Sequence, residues 1–169
     1  MTNDLLALVR AGLDETARRI GAAGGDPAGV SVVAVTKGHG PDAVRAALAA
    51  GLRDVGENYA GELLGKIELL GEGERASVRW HYLGAIQRNK VGRLARAVGC
   101  WQSVARPEEA AAIARRALGG APEIFVEIDT SGSPGRPGCG PHDVPGLVES
   151  ARRLGCRVRG LMNVAPLVG

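Results

Sequence analysis

Aromatic side chains are nearly missing from this chain: two Trp, two Tyr and one Phe in 169 residues. Its core must therefore be built from Ala, Val, Leu and Ile. A nucleic-acid surface that stacks bases on aromatic rings has almost nothing to be made from. Long blocks of one charge are missing too. Lys and Arg number 21 against 18 Asp and Glu, a formal charge of +3, and the cations are spread along the chain. Nucleic acid is thus not an expected partner. Cys is scarce: Cys100, Cys139 and Cys156 are odd in number and form no C-x-x-C pair. That pattern offers neither a disulfide framework nor zinc-ligand spacing, and suits reduced thiols in the cytoplasm. No apolar run is long enough to cross a bilayer. Asp4 and Glu15 interrupt the start of the chain where a signal peptide would be uniformly apolar. The expectations are a cytoplasmic location, no membrane partner and no metal.

What is present is a regular alternation. Leu5, Leu6, Val9, Leu13, Ala17 and Ile20 recur at helical spacing up to the glycines at 21–25. An apolar, β-branched run over 30–37 then reads as a strand buried on both faces. Pro41 and Asp42 open a helix that Gly51 ends. Further strands are expected at 53–57, 79–84, 100–104, 123–129 and 157–163. The helices between them carry Leu63, Leu64, Ile67 and Leu70; Val91, Leu94, Ala95 and Val98; Pro107 to Arg116; and Leu147, Val148, Ala151 and Leu154. One leading helix, six strands and five intervening helices make an α/β chain with parallel strands and right-handed crossovers. By length it is one domain over 1–169. Periodicity alone leans toward an open, doubly wound sheet, because a closed barrel needs eight strands and at least ~200 residues.

Lysine is scarcer than the charge balance suggests, since Lys37, Lys66 and Lys90 stand among 18 arginines. Lys37 follows Val-Val-Ala-Val-Thr at a strand's carboxyl end, where α/β folds gather ligand-binding groups. His39, Glu57, Asn58, Gly84, Ser103, Asp129 and Asn163 share that rim. A free lysine is only ~0.04% unprotonated at pH 7. A half-buried one exposes far more nucleophile and can condense with an aldehyde. The competing role for Lys37 is a snorkelling cation, or one paired with Glu57. His81 falls mid-strand, where hydrogen bonding inside the sheet is the plainer role. Gln87, Asn89 and Lys90 sit on the exit loop or first turn of the next helix. The glycine- and proline-rich loop 130–141 has neither P-loop nor G-x-G-x-x-G spacing. It reads as a lip that offers Arg136 at the mouth.

Two stretches together resemble one family. They are Val35-Thr36-Lys37 followed by Gly51-Leu52-Arg53-Asp54-Val55-Gly56-Glu57-Asn58-Tyr59, and Trp80-His81-Tyr82-Leu83-Gly84-Ala85-Ile86-Gln87-Arg88-Asn89-Lys90. With Gly160-Leu161-Met162, they are similar to the pyridoxal phosphate homeostasis proteins, which are alanine racemase N-terminal-domain-like. The resemblance implies a (β/α)8 TIM-type barrel, here truncated after strand six, in place of the open sheet. It also implies pyridoxal 5′-phosphate (PLP) held as a Schiff base on Lys37, with Glu57, Asn58 and His81 lining or supporting the pocket. The serine and Arg-Gly-Thr segment that hold the phosphate in the family belong to strands seven and eight, beyond Gly169. The implied role is non-catalytic buffering or delivery of PLP, with PLP-dependent client enzymes and free amino acids as partners. A racemase or lyase acting on amino acids is the alternative. It needs a second acid–base residue at the substrate Cα.

Overall fold

The computed structural model describes residues 2–131 and 135–164. The chain forms two compact units, one of Met1–Glu57 with Gly61–Arg79 and one of Asn58–Ala60 with Trp80–Gly169.

In the first unit, helix α1 (Thr2–Ala22) packs on α2 (Pro41–Ala49). Its apolar stripe is half-buried, and a cavity of about 360 Å³ remains beneath it, lined by Leu5, Val9, Leu13, Val32, Val35 and Ala46 among others. Strand β1 is shorter and more open than its sequence suggests. It comprises Ala34–Val35 only, with Val30 and Val35 nearly half-exposed at 48% and 46%. The reason is its place at one end of the strand order. There it pairs in parallel with β2 (Asp54–Glu57) through Ala34↔Val55 and Val35↔Gly56. Composition predicts two covered faces, whereas an edge strand has fewer neighbours to cover them.

Helix α3 (Ala60–Leu69) buries Leu63 and Lys66. The sequence places one helix here and ends it at Gly71. The structure uses Gly71 to begin a second, α4 (Glu72–Ser77). The Glu74 carboxylate accepts the Gly71 N–H at 2.7 Å, and Glu72 and Glu74 sit at the positive end of the helix dipole.

In the second unit, the elements are β3 (Arg79–Tyr82), α5 (Arg88–Leu94), β4 (Val98–Val104), α6 (Pro107–Ala114), β5 (Glu123–Glu127), α7 (Val144–Arg153) and β6 (Arg157–Met162). Each of these strands pairs in parallel with the next one in the chain. A doubly wound sheet reverses its strand order at a switch point. Strands β3 to β6 instead follow one another as in a barrel wall, so the lean toward an open sheet is corrected. Helix α5 also ends before Val98, which opens β4 opposite Trp80. The inner strands β4 and β5 bury Cys100, Trp101, Val104, Ile124 and Val126. Tyr82 meets Trp101 edge-on at 5.7 Å, a geometry that aromatic rings favour. Strand β6 alternates exposed and half-buried residues. Among the described residues, no helix is long and apolar enough to cross a membrane.

Candidate functional site

The first unit builds a polar network directly behind Lys37. Strand β2 ends in Glu57, whose side chain is fully buried. One turn and a half into α3, Lys66 points its ammonium at the same place, with only 4% exposure. Lys66 Nζ pairs with Glu57 Oε1 and donates to the Thr36 carbonyl at 2.7 Å. The Thr36 hydroxyl also donates to Glu57 Oε1, at 2.5 Å. Burying two unpaired charges would be prohibitive, and this pairing with its extra hydrogen bonds offsets that cost. Glu57 Oε2 is buried with no hydrogen-bond partner among the described residues.

The sequence offers Glu57 as a partner for Lys37, and the structure assigns it to Lys66 instead. Nothing in the sequence pattern singles out Lys66 for a role. The signal available is only that of a lysine on the apolar face of a helix, nine residues after a strand-end glutamate. Lys37 is exposed rather than half-buried, and forms no ion pair among the described residues. It occupies a turn after β1, followed by Gly38 at φ +76°, a conformation that favours glycine. The Gly38 N–H donates to Glu62 Oε2 at 2.8 Å, and the His39 N–H donates to the Thr36 carbonyl at 3.1 Å. The surroundings of Lys37 are therefore ordered although its side chain is free.

Asn58 and His81 belong to the second unit. The Asn58 carbonyl lies so near Gly84 that a Cβ there would stand 1.9 Å from its oxygen. His81, 5% exposed on β3, shares a 2.7 Å hydrogen bond between its Nδ1 and Gln102 Nε2 on β4. This is the in-sheet role that a mid-strand histidine suggests.

Other strand-end groups of this unit bind backbone. The Ser103 hydroxyl donates to the Gly84 carbonyl at 2.5 Å, and Asn163 Nδ2 to the Ile128 carbonyl at 2.8 Å. Asp129 accepts from the Ser131 N–H and hydroxyl. Gln87, Asn89 and Lys90 are exposed at the start of α5.

A cavity of about 260 Å³ is lined by Ser103, Arg106, Glu109, Glu127, Arg136 and Pro137 among others. Glu109 is buried and accepts from the Ala105 and Arg106 N–H groups and from the Arg106 guanidinium. Glu127 is buried as well, and that burial, reinforced by the charge of Glu109, pushes its carboxyl above the ordinary range. Gly132, Ser133 and Pro134 of the expected lip lie outside the described residues. No cluster of three or more metal-ligating side chains occurs among the described residues.

The family model of the alanine racemase N-terminal domain matches residues 11–167. A pyridoxal phosphate homeostasis protein from Pseudomonas aeruginosa is 40% identical over 162 residues, 94% of this chain and 68% of that protein. A structure of an unknown protein from Bifidobacterium adolescentis superposes with a TM-score of 0.89 and 27% identity, covering 99% of this chain and 72% of the other. PipY of Synechococcus elongatus, solved with PLP bound, gives a TM-score of 0.72 and 32% identity, over 82% of this chain and 65% of PipY.

Proposed function

This chain belongs to the alanine racemase N-terminal domain family and, within it, to the pyridoxal phosphate homeostasis proteins, and we propose that it binds PLP covalently through Lys37. The observation that carries the proposal is the contrast among its lysines. Lys66 is buried and held by Glu57, while Lys37 is exposed, free of carboxylates and mounted on an ordered turn after β1. Condensation needs an amine that an aldehyde can approach. Lys37 Nζ would meet that need: after giving its proton to solvent, the amine would add to the aldehyde carbon, and water would leave as a C=N bond forms. PLP supplies that aldehyde. Glu57 supports the attachment from behind by fixing Thr36 and Lys66. His81 serves by joining β3 to β4 through Gln102, and the backbone of Asn58 packs closely against Gly84.

The role we propose is to hold and release PLP, not to turn over a substrate. The name carried by the P. aeruginosa relative supports it. So does the exposure of Lys37, because a free amino acid or a client's lysine can reach the same carbon and displace it by exchange of amines. The test is titration of the protein with PLP, followed by visible absorbance, for wild type and Lys37→Ala. The account expects a saturable visible band that the variant lacks, and no racemisation when alanine is added. An equal band in the variant would refute the assignment, and catalytic turnover of alanine would refute the non-catalytic role.

A further inference from the structure

We propose that Glu62 and Lys66 are positioning residues for Lys37, gripping the two peptide groups on either side of it. The proposal rests on Lys37 as the attachment point and deepens that reading. A residue's backbone direction is set by two soft dihedrals, one on each side of its Cα, because the flanking peptides are planar. Fixing those two peptides therefore fixes the base from which the side chain projects.

Both peptides are held here, and from opposite directions. The peptide before Lys37 carries the Thr36 carbonyl, which accepts from Lys66 Nζ at 2.7 Å and from the His39 N–H at 3.1 Å. The peptide after it carries the Gly38 N–H, which donates to Glu62 Oε2 at 2.8 Å. Thr36 is tied further by its own N–H to the Gly56 carbonyl at 3.0 Å and by its hydroxyl to Glu57. The two grips are joined, since Lys66 Nζ and Glu62 Oε2 stand 3.7 Å apart on successive turns of α3. Glu57 anchors the assembly from β2.

A plain stability role would account for the Glu57–Lys66 ion pair taken alone, though not for the bond from Lys66 to the Thr36 carbonyl. It does not account for Glu62, a partly exposed carboxylate that reaches across to a backbone amide 24 residues away in the chain. That bond orders the turn while leaving the lysine side chain itself free. An exposed lysine carries large rotamer freedom, so binding through it benefits from a base that is already fixed.

Glu62 is the residue to change, because its exposure lets the variant fold. Glu62→Ala removes the acceptor of the Gly38 N–H, whereas Glu62→Gln keeps an oxygen in reach and loses only the charge. Three readouts apply to the intact chain: thermal midpoint, hydrogen exchange of the Gly38 amide without ligand, and affinity for PLP from the visible titration. The expectation for Glu62→Ala is faster Gly38 exchange and PLP affinity weakened about tenfold, equal to about 1.4 kcal/mol, with the thermal midpoint little changed. Glu62→Gln should restore affinity to near wild type.

Two results would overturn the positioning role. One is Glu62→Ala binding PLP as wild type does, and the other is Glu62→Gln failing as badly as Glu62→Ala. If wild type itself gives no band, the PLP reading falls and the inference with it. The exchange of Gly38 then still tells whether the grip exists, so the two failures are distinguishable.

Discussion

Lys37 and Lys66 lie on either side of one threonine and have opposite fates. The ammonium of Lys66 is sealed against Glu57 and the Thr36 carbonyl, while Lys37, the next residue after that threonine, is exposed. The same side chain can thus be scaffold or reagent, and the neighbours decide which. Glu57 of β2 and the Thr36 carbonyl meet Lys66 on α3, whereas the turn after β1 leaves Lys37 exposed. If Lys37 is the attachment point, as proposed, burial marks the structural lysine here and exposure the functional one.

The comparison can be broken most forcefully at the buried lysine. Lys66→Met strands the Glu57 carboxylate without its cation, and a cost of about 3–5 kcal/mol is expected. Urea denaturation measures it. Replacing both partners with methionine should recover most of that loss, because the desolvation penalty disappears with the charges. Recovery would show that the pair specifies the geometry more than it stabilises the fold.

A smaller effect is expected at Gly84. A methyl there would overlap the Asn58 carbonyl oxygen at 1.9 Å, so Gly84→Ala should cost about 3 kcal/mol. A thermal midpoint equal to wild type would mean that the backbone at Asn58 moves freely.

The second unit offers a parallel contrast between Glu109, paired with Arg106, and Glu127, buried and raised. As pH rises through the ordinary carboxylate range, the unfolded chain ionises Glu127 first and the folded chain keeps its proton longer. The folded state then binds more protons, and stability falls with pH until the raised folded value is passed. The contribution is complete below the ordinary range and lost above the folded pKa. Glu127→Gln should remove this slope, so its advantage over wild type grows from acid toward neutral pH. A constant difference across that window would contradict the assignment. The smallest effect belongs to Lys37→Ala, with less than about 0.5 kcal/mol expected. A loss matching that of Lys66→Met would erase the distinction between the two lysines.

Much of this architecture is legible in the sequence, for identifiable reasons. The glycine at 51 and the prolines at 41 and 107 punctuate the helices where they should. Alternation of strands and helices gives the parallel class. Strand order is not legible, since local patterns do not say which strands meet, and the open sheet was favoured on pattern alone. The edge status of β1 was hidden for the same reason: Val30, Val32, Val33 and Val35 have the composition of a covered strand. Lys37 stood out by its place at a strand end. The Glu57–Lys66 pair did not, because a contact between β2 and α3 depends on how the helix is rotated over the strand. Asn58 and His81 stand in the stretches that carry the family resemblance. What those stretches hold there is backbone contact at Gly84 and a bond to Gln102 within the sheet.

The central claim is that Lys37, and not its neighbour, is the lysine that takes the aldehyde. The measurement that tests it most directly is borohydride reduction of the protein–PLP mixture, followed by peptide mapping of the labelled residue. One stable label is expected, on Lys37. Label on Lys66, or label spread evenly over Lys37, Lys66 and Lys90, would contradict it.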